Sequence, residues 1–204
     1  LGEARPGSNL YTTSVVELDS RTGELRAAHQ LVERDVHDWD VAAAPALITT
    51  KAGRRLIVAG GKDGHVYGIE RRGGVRRYRT AVTRIENVDA PLTAAGTRFC
   101  PGVNGGVEWN GPAYLPARNA IFVNSIEWCT TIKVGTVADL KGKDALPWTG
   151  SSELRHPFGV QDSVSRGALT ALDADAGRIL WQFDSPTPMV AGVVATAGGL
   201  VFTG

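Results

Sequence analysis

Residues 99–112, FCPGVNGGVEWNGP, form the least ordinary stretch of this 204-residue chain. Four glycines (Gly102, Gly105, Gly106 and Gly111) would let the backbone approach a ligand closely, and Trp109 offers a flat apolar face. A second group with chemical potential is the polar run Arg34-Asp-Val-His-Asp-Trp-Asp40, which carries one tryptophan. Cys100 and Cys129 lie 29 residues apart beside strand-like stretches. They suit either a disulfide, which would restrict the unfolded chain by about 3–4 kcal/mol, or a pair of buried free thiols. No CxxC or HxxxH spacing accompanies them, so the pattern does not point to zinc. Arg71, Arg72, Arg76, Arg77 and Arg79 make a local basic cluster. With no interleaved aromatic beyond Tyr78, it reads as a solvated hairpin face rather than a nucleic-acid surface. A formal net charge of +1 gives no global electrostatic case for nucleic acid or an acidic partner.

These groups need a scaffold, and the sequence supplies one as a repeated hairpin. In GALTALDADAGRILWQF, Ala168–Leu172 suits a strand, Asp173–Gly177 a turn capped by Asp carboxylates, and Arg178–Phe183 a returning strand with Ile179, Trp181 and Phe183 on one face. The same order recurs at Asp19 with Gly23, and at Glu70 with Gly74, each glycine four residues after the acid. Eight residues after the acid stand Ala27, Tyr78 and Trp181. Asp19 to Glu70 is 51 residues and Glu70 to Asp173 is 103, close to twice 51. The spacing therefore predicts a further copy near residue 121, where Ala120–Asn124 supplies a strand but no acidic turn. A strand pair is expected at Asn9–Leu18, and further strands at Leu25–Val32, Ala46–Thr50, Arg55–Ala59, His65–Glu70 and Ala113–Leu115. A tight turn is expected at Gly60–Gly64, and a surface insertion over 131–166. A period near 50 with mainly strand content predicts an all-β chain of propeller blades, about four of them. Residue 1 reads as mid-loop, with no signal peptide, and residue 204 follows an unpartnered strand. The expectation is that residues 1–204 form a partial propeller domain, about half of a longer one, with exposed strand edges.

Taken together, several motifs resemble the PQQ-dependent (quinoprotein) alcohol dehydrogenases, a family of eight-bladed propellers that carry pyrroloquinoline quinone. They are RPGSNLYTTSVVELDSRTGEL, DVHDWD, GGKDGHVYGIERRGG, CPGVNGGVEWNGPAYLP, LTALDADAGRILWQF and GVVATAGGLVFTG. The likeness covers nearly the whole chain. It implies oxidation of an alcohol or sugar with PQQ and Ca²⁺, in the periplasm or on the periplasmic side of a membrane. Electrons would pass to a cytochrome or quinone, and the remaining blades would come from the same protein. The resemblance places Lys62 against the quinone oxygens, where a cation stabilises negative charge developing during reduction. It places Trp109 beside the cofactor and Glu108 as the polar half of that contact, at a position where the family usually has an amide. His37, Asp38, Trp39 and Asp40 match a family motif read here as structural, although a histidine beside two aspartates has the chemistry to bind metal. At Ser8 the family has an aspartate near Ca²⁺ that removes the alcohol proton. An unassisted serine hydroxyl is a poor base and a poorer Ca²⁺ ligand, so no catalytic residue is assigned and the chemistry is expected to fail there. The family's other Ca²⁺ ligands, a Glu and an Asn, would lie upstream. The competing reading is a PQQ-like propeller without catalysis, acting as a binding or envelope-assembly scaffold. Ser8, Lys62 and Trp109, spaced 54 and 47 residues apart, are expected on equivalent loops of successive blades, converging on one face.

Overall fold

A computed structural model describes residues 5–136, 150–153, 155–156 and 158–204. The mid-loop reading of residues 1–4 and the part of the expected insertion at 137–149 lie outside the described residues. β1 (Ser14–Leu18) pairs with β2 (Leu25–Gln30). β3 (Ala46–Thr49), β4 (Arg55–Gly60), β5 (His65–Glu70) and β6 (Arg76–Ala81) form a four-stranded antiparallel sheet in chain order. β7 (Thr97–Phe99) follows, then β8 (Ala113–Leu115), β9 (Ala120–Glu127), β10 (Thr130–Ile132) and β11 (Val160–Gln161). β12 (Arg166–Asp173) and β13 (Ile179–Ser185) join β8 and β9 in a second four-stranded sheet, ordered β13-β12-β9-β8. β14 (Val194–Ala195) and β15 (Val201–Phe202) make a last pair. The chain is all-β, apart from a single 3₁₀ turn at Pro116–Arg118 among the described residues. Four blades are represented, two in full and two by one hairpin each. Among the described residues no helix is long and apolar enough to cross a membrane.

The three repeated hairpins are structurally equivalent down to their irregularities. Each has a register shift two residues before its acid: Glu17/Leu18, Gly68/Ile69 and Ala171/Leu172. The residue seven after the acid is thereby left out of the ladder, as a bulge. In the first two copies that residue is an arginine that turns back onto the acid: Arg26 to Asp19 at 3.1 Å and Arg77 to Glu70 at 2.6 Å. Asp19 and Asp173 also accept the amide N–H groups two and three residues on, as a short carboxylate can. The longer Glu70 does not make that turn, and two left-handed glycines, Gly73 and Gly74, carry the chain round instead.

The predicted copy near residue 121 is absent. β9 pairs directly with β12 over eight residues, from Ala120↔Asp173 to Glu127↔Arg166. The 103-residue interval is therefore one enlarged blade. Its middle connection, 128–165, contributes β10 and β11 to a separate three-stranded sheet ordered β11-β10-β7. Ala120–Asn124 lacks an acidic turn because it is an inner strand, entered through Asn119 in the left-handed region at φ 49°. Asn9–Leu18 is likewise not a strand pair, since only Ser14–Leu18 is extended. Cys100 and Cys129 form a disulfide, which ties the end of β7 to the start of β10.

Burial runs between blades as much as within them. Tyr78, eight residues after Glu70, lies over Gly68 in its own sheet and Gly177 in the next. A Cβ at Gly68 would meet the ring at 2.2 Å. Around it Leu56, Val58 and Val66 pack with Val107, Ile121, Val123 and Leu172 of the following blade. Val15 and Leu31 close against Ile57, Tyr67 and Ile69 on the other side. The equivalent Trp181 is on the last complete sheet and stays 45% exposed, beside Phe183 and Ile179. A polar clasp reinforces the joint between the two full blades. Asp175 accepts from Thr50, from the Ala52 amide at 3.3 Å and from Asn119 Nδ2 at 2.8 Å, while Asn119 Oδ1 accepts the Lys51 amide at 2.8 Å.

Two outcomes test this packing. Replacing both cysteines by serine should lower unfolding free energy by about 3–4 kcal/mol for a loop of this length, read by chemical denaturation. Burial works against charge on Asp175, but hydrogen bonds from Thr50, Asn119 and the Ala52 amide outweigh it, and its pKa is lowered. A lowered carboxyl pKa contributes stability above the unfolded-state value and loses it as pH falls through the folded one. Asp175→Ala should therefore cost about 1–3 kcal/mol at neutral pH and less at acid pH.

Candidate functional site

Lys62 lies in the β4–β5 turn, which reverses within Gly61–Gly64 through Gly64 N–H to Gly61 O at 3.0 Å. Two other segments fix the turn's backbone. Lys62 N–H donates to Asp40 O, and Gly61 O accepts from Val107 N–H, both at 3.0 Å. Gly106, at φ +84°, lies so close that a Cβ there would meet the Lys62 carbonyl oxygen at 2.2 Å. The glycines of the 99–112 loop thus serve protein packing rather than ligand approach. Gly102 faces Thr130, Gly105 the Trp128 carbonyl and Gly111 the Ala44 carbonyl, each too near for a side chain. The loop is pinned at Gly106 by two hydrogen bonds to Ile126 at 2.9 Å, and at Pro101 by the Trp39 indole N–H at 3.1 Å.

The Lys62 side chain is only 6% exposed, which rules out a solvated turn lysine. Its Nζ lies 3.0 Å from Asp38 and 3.4 Å from Asp40. Burial alone would weaken its charge. The Asp38 hydrogen bond and the charges of Asp38, Glu108 and Asp40 outweigh burial and raise its pKa, so Lys62 is held as a cation. Asp38 and Asp40 alternate with two inward residues. His37 stacks on Trp39 with centroids 4.1 Å apart and meets Phe99 edge-on at 4.6 Å. Asp35 receives the amides of His37 and Trp39 at 2.9 and 2.8 Å. His37 and Trp39 are thus structural, and burial lowers the His37 pKa. Among the described residues no three His, Cys, Asp or Glu side chains gather as a metal site.

Glu108 is 2% exposed, yet no side chain or backbone group among the described residues hydrogen-bonds its carboxyl. Burial raises its pKa to about 7, with Lys62 opposing and Asp40 and Asp38 reinforcing. The next residue, Trp109, is 67% exposed and is not core packing. Asn110 turns back inside and donates to the Met189 carbonyl at 3.2 Å. The loop that packs against the Lys62 turn at Gly106 and Val107 therefore carries one buried carboxyl and one open indole.

Ser8 is exposed, and its carbonyl accepts from Gln30 Nε2 at 2.7 Å and Arg34 N–H at 3.3 Å. Its neighbour Asn9 lines a cavity of about 410 Å³ together with Thr12, Asp38, Asp40 and Val103. Ser8 and Lys62 occupy matching places, each ahead of the strand that leads into its acidic turn. Trp109 does not, since it lies in the connection from β6 to β8. The expectation of three equivalent loops is corrected accordingly. A meeting with Lys62 and its loop still follows, because strand reversal brings the β4–β5 turn and the β6–β8 connection to the same end of the sheets.

Asp63 is a further site residue that the sequence reading passed over. It is 1% exposed and is bonded by Tyr67 Oη, by Arg79 at 3.1 Å and by His65 Nδ1 at 3.0 Å. The alternation Asp63, His65, Tyr67 was its available signal. Arg79 therefore leaves the solvated basic face to stabilise the turn carrying Lys62.

A family model described as "Glucose/ethanol/alcohol dehydrogenase, beta-propeller domain" matches residues 1–76. The chain is 26% identical to the quinoprotein ethanol dehydrogenase of Pseudomonas aeruginosa, over all of the chain and 36% of that protein. It is 21% identical to the quinoprotein glucose dehydrogenase of Escherichia coli, over 98% of the chain and 37% of that protein. Among solved structures, a europium-containing methanol dehydrogenase superposes with a TM-score of 0.76 at 22% identity, covering 98% of this chain and 38% of the other. The chain thus spans little more than a third of the length of the curated relatives it matches.

The Glu108 environment has a thermodynamic signature. A carboxyl raised from 4.5 to about 7 in the folded state favours folding below its unfolded value, and this advantage disappears as pH rises to about 7. Stability of the parent relative to Glu108→Gln should fall by up to about 3 kcal/mol across that window, read by denaturation at stepped pH.

Proposed function

This chain is a partial-length relative of the quinoprotein alcohol dehydrogenases, and from that premise we propose that it forms part of a PQQ-dependent propeller enzyme oxidising an alcohol or a sugar. The observation that carries the reading is Lys62. It is a buried lysine kept charged by neighbouring carboxylates and clamped by backbone from two other segments, one of them the loop that carries the exposed Trp109. A solvated turn needs none of this, whereas a flat anionic quinone does. Lys62 would face its oxygens and the Trp109 ring its plane, so the residues present fit such a group. When bound, the quinone supplies a two-electron acceptor. The protein's part is to place the cation and to shield the site with the 99–112 loop.

Residues 1–204 would then be part of a longer propeller domain completed by the remaining blades. Ca²⁺, which the resemblance ties to an upstream Glu and Asn, would be held mainly from outside this chain. The disulfide suits an oxidising compartment such as the periplasm. The electron acceptor would be a cytochrome or a quinone. In the full-length protein, PQQ with Ca²⁺ should support alcohol-dependent dye reduction, and Lys62→Met should lower kcat by about 10²-fold or more if the cation acts on the developing charge. No dye reduction with any small alcohol or sugar, despite bound PQQ, would leave the non-catalytic scaffold as the reading.

A further inference from the structure

We propose that Glu108 is the group that takes the hydroxyl proton of the substrate, replacing the carboxylate that is missing at Ser8. The inference rests on the dehydrogenase reading above. Oxidation of an alcohol breaks two bonds. The C–H pair leaves the carbinol carbon as hydride for the quinone, and the O–H pair becomes the second bond of the new carbonyl. The proton left over needs an acceptor within reach of the site.

The surrounding groups narrow the choice. Ser8 has no basic atom and shows its carbonyl to Gln30 and Arg34. Asp38 and Asp40 are engaged with the Lys62 ammonium at 3.0 and 3.4 Å, so a proton on either would compete with that pair. His37 is stacked between Trp39 and Phe99, and His65 is bound to Asp63. Asp35 accepts the His37 and Trp39 amides at 2.9 and 2.8 Å, which leaves Glu108 as the carboxyl near Lys62 whose oxygens are not engaged. It belongs to a loop fixed at Gly106 and Val107, precedes the exposed Trp109 and has no hydrogen-bond partner holding its oxygens. The charged groups that face it are Lys62, Asp40 and Asp38. A base must exchange its proton near the working pH, and burial places Glu108 there, at about 7. Lys62 then has a second task, since its charge stabilises the ionised form of Glu108 ready to accept.

The test uses the full-length protein with PQQ and Ca²⁺, comparing the parent with Glu108→Gln, which restores an amide of the same shape. In the parent, kcat/KM should rise tenfold per pH unit and level off above about 7. In the variant kcat should fall by about 10²–10⁴-fold. Affinity for PQQ, titrated by tryptophan fluorescence, should remain within about threefold, because proton transfer rather than binding is removed. Glu108→Asp, a shorter base, should retain intermediate turnover. A Glu108→Gln protein that turns over like the parent overturns the proposal and leaves the dehydrogenase reading standing. A variant that fails to bind PQQ also overturns it, since Glu108 would then hold the cofactor. A parent that binds no PQQ removes the reading itself and the proposal with it.

Discussion

Everything at the candidate site depends on the backbone of one short turn being held from both sides. Gly61 and Lys62 exchange hydrogen bonds with Val107 and Asp40, segments that precede and follow their own sheet in the chain. These contacts join neighbouring blades at main-chain level, so side-chain rotamers do not loosen them. Gly106 is glycine for this reason, because any Cβ would push the Lys62 carbonyl away. Beneath the turn, Asp63 satisfies Tyr67, His65 and Arg79 at once, a buried anion made tolerable by the Arg79 guanidinium and by donors on the same sheet.

Charge at the site follows from geometry rather than from composition. One ammonium faces Asp38, Asp40 and Glu108, and the three carboxyls differ in their surroundings. Asp38 and Asp40 are partly open to solvent and in contact with Lys62. Glu108 is buried, 2% exposed, and makes no salt bridge with Lys62. Burial pushes the pKa of both Asp38 and Glu108 up, and carries that of Glu108 to about 7.

The repeat was legible because its chemistry is local. An acid, a glycine four residues on and a bulge seven residues on are set by turn and twist, and the sequence around Asp19, Glu70 and Asp173 displays them openly. Interval arithmetic went wrong between Glu70 and Asp173, because a doubled spacing looks the same whether a blade is missing or one blade is enlarged. Only the β9–β12 ladder separates the two. At the site, Lys62 and the 99–112 loop were visible as motifs. The clamp between them was not, since it consists of main-chain contacts that leave no side-chain signature beyond a glycine. Asp38 and Asp40 were read with His37 and Trp39 as one cluster. Their two-residue alternation assigns one pair to the core and the other to Lys62.

The enlarged blade sets an order of assembly. The strands of the first full sheet are consecutive in the chain and need only short turns to meet. The longest ladder of the second sheet joins Glu127 to Arg166 across an intervening segment of about forty residues. On loop-closure arithmetic, that encounter costs about 2 kcal/mol more than a five-residue turn. Folding should therefore begin in the compact sheet and reach β12 late, with β8 and β9 waiting on its docked edge. A covalent link between Cys100 and Cys129 organises the intervening segment around β7 and β10 and shortens the search. Formation of that one bond would then also set the pace at which the second sheet closes.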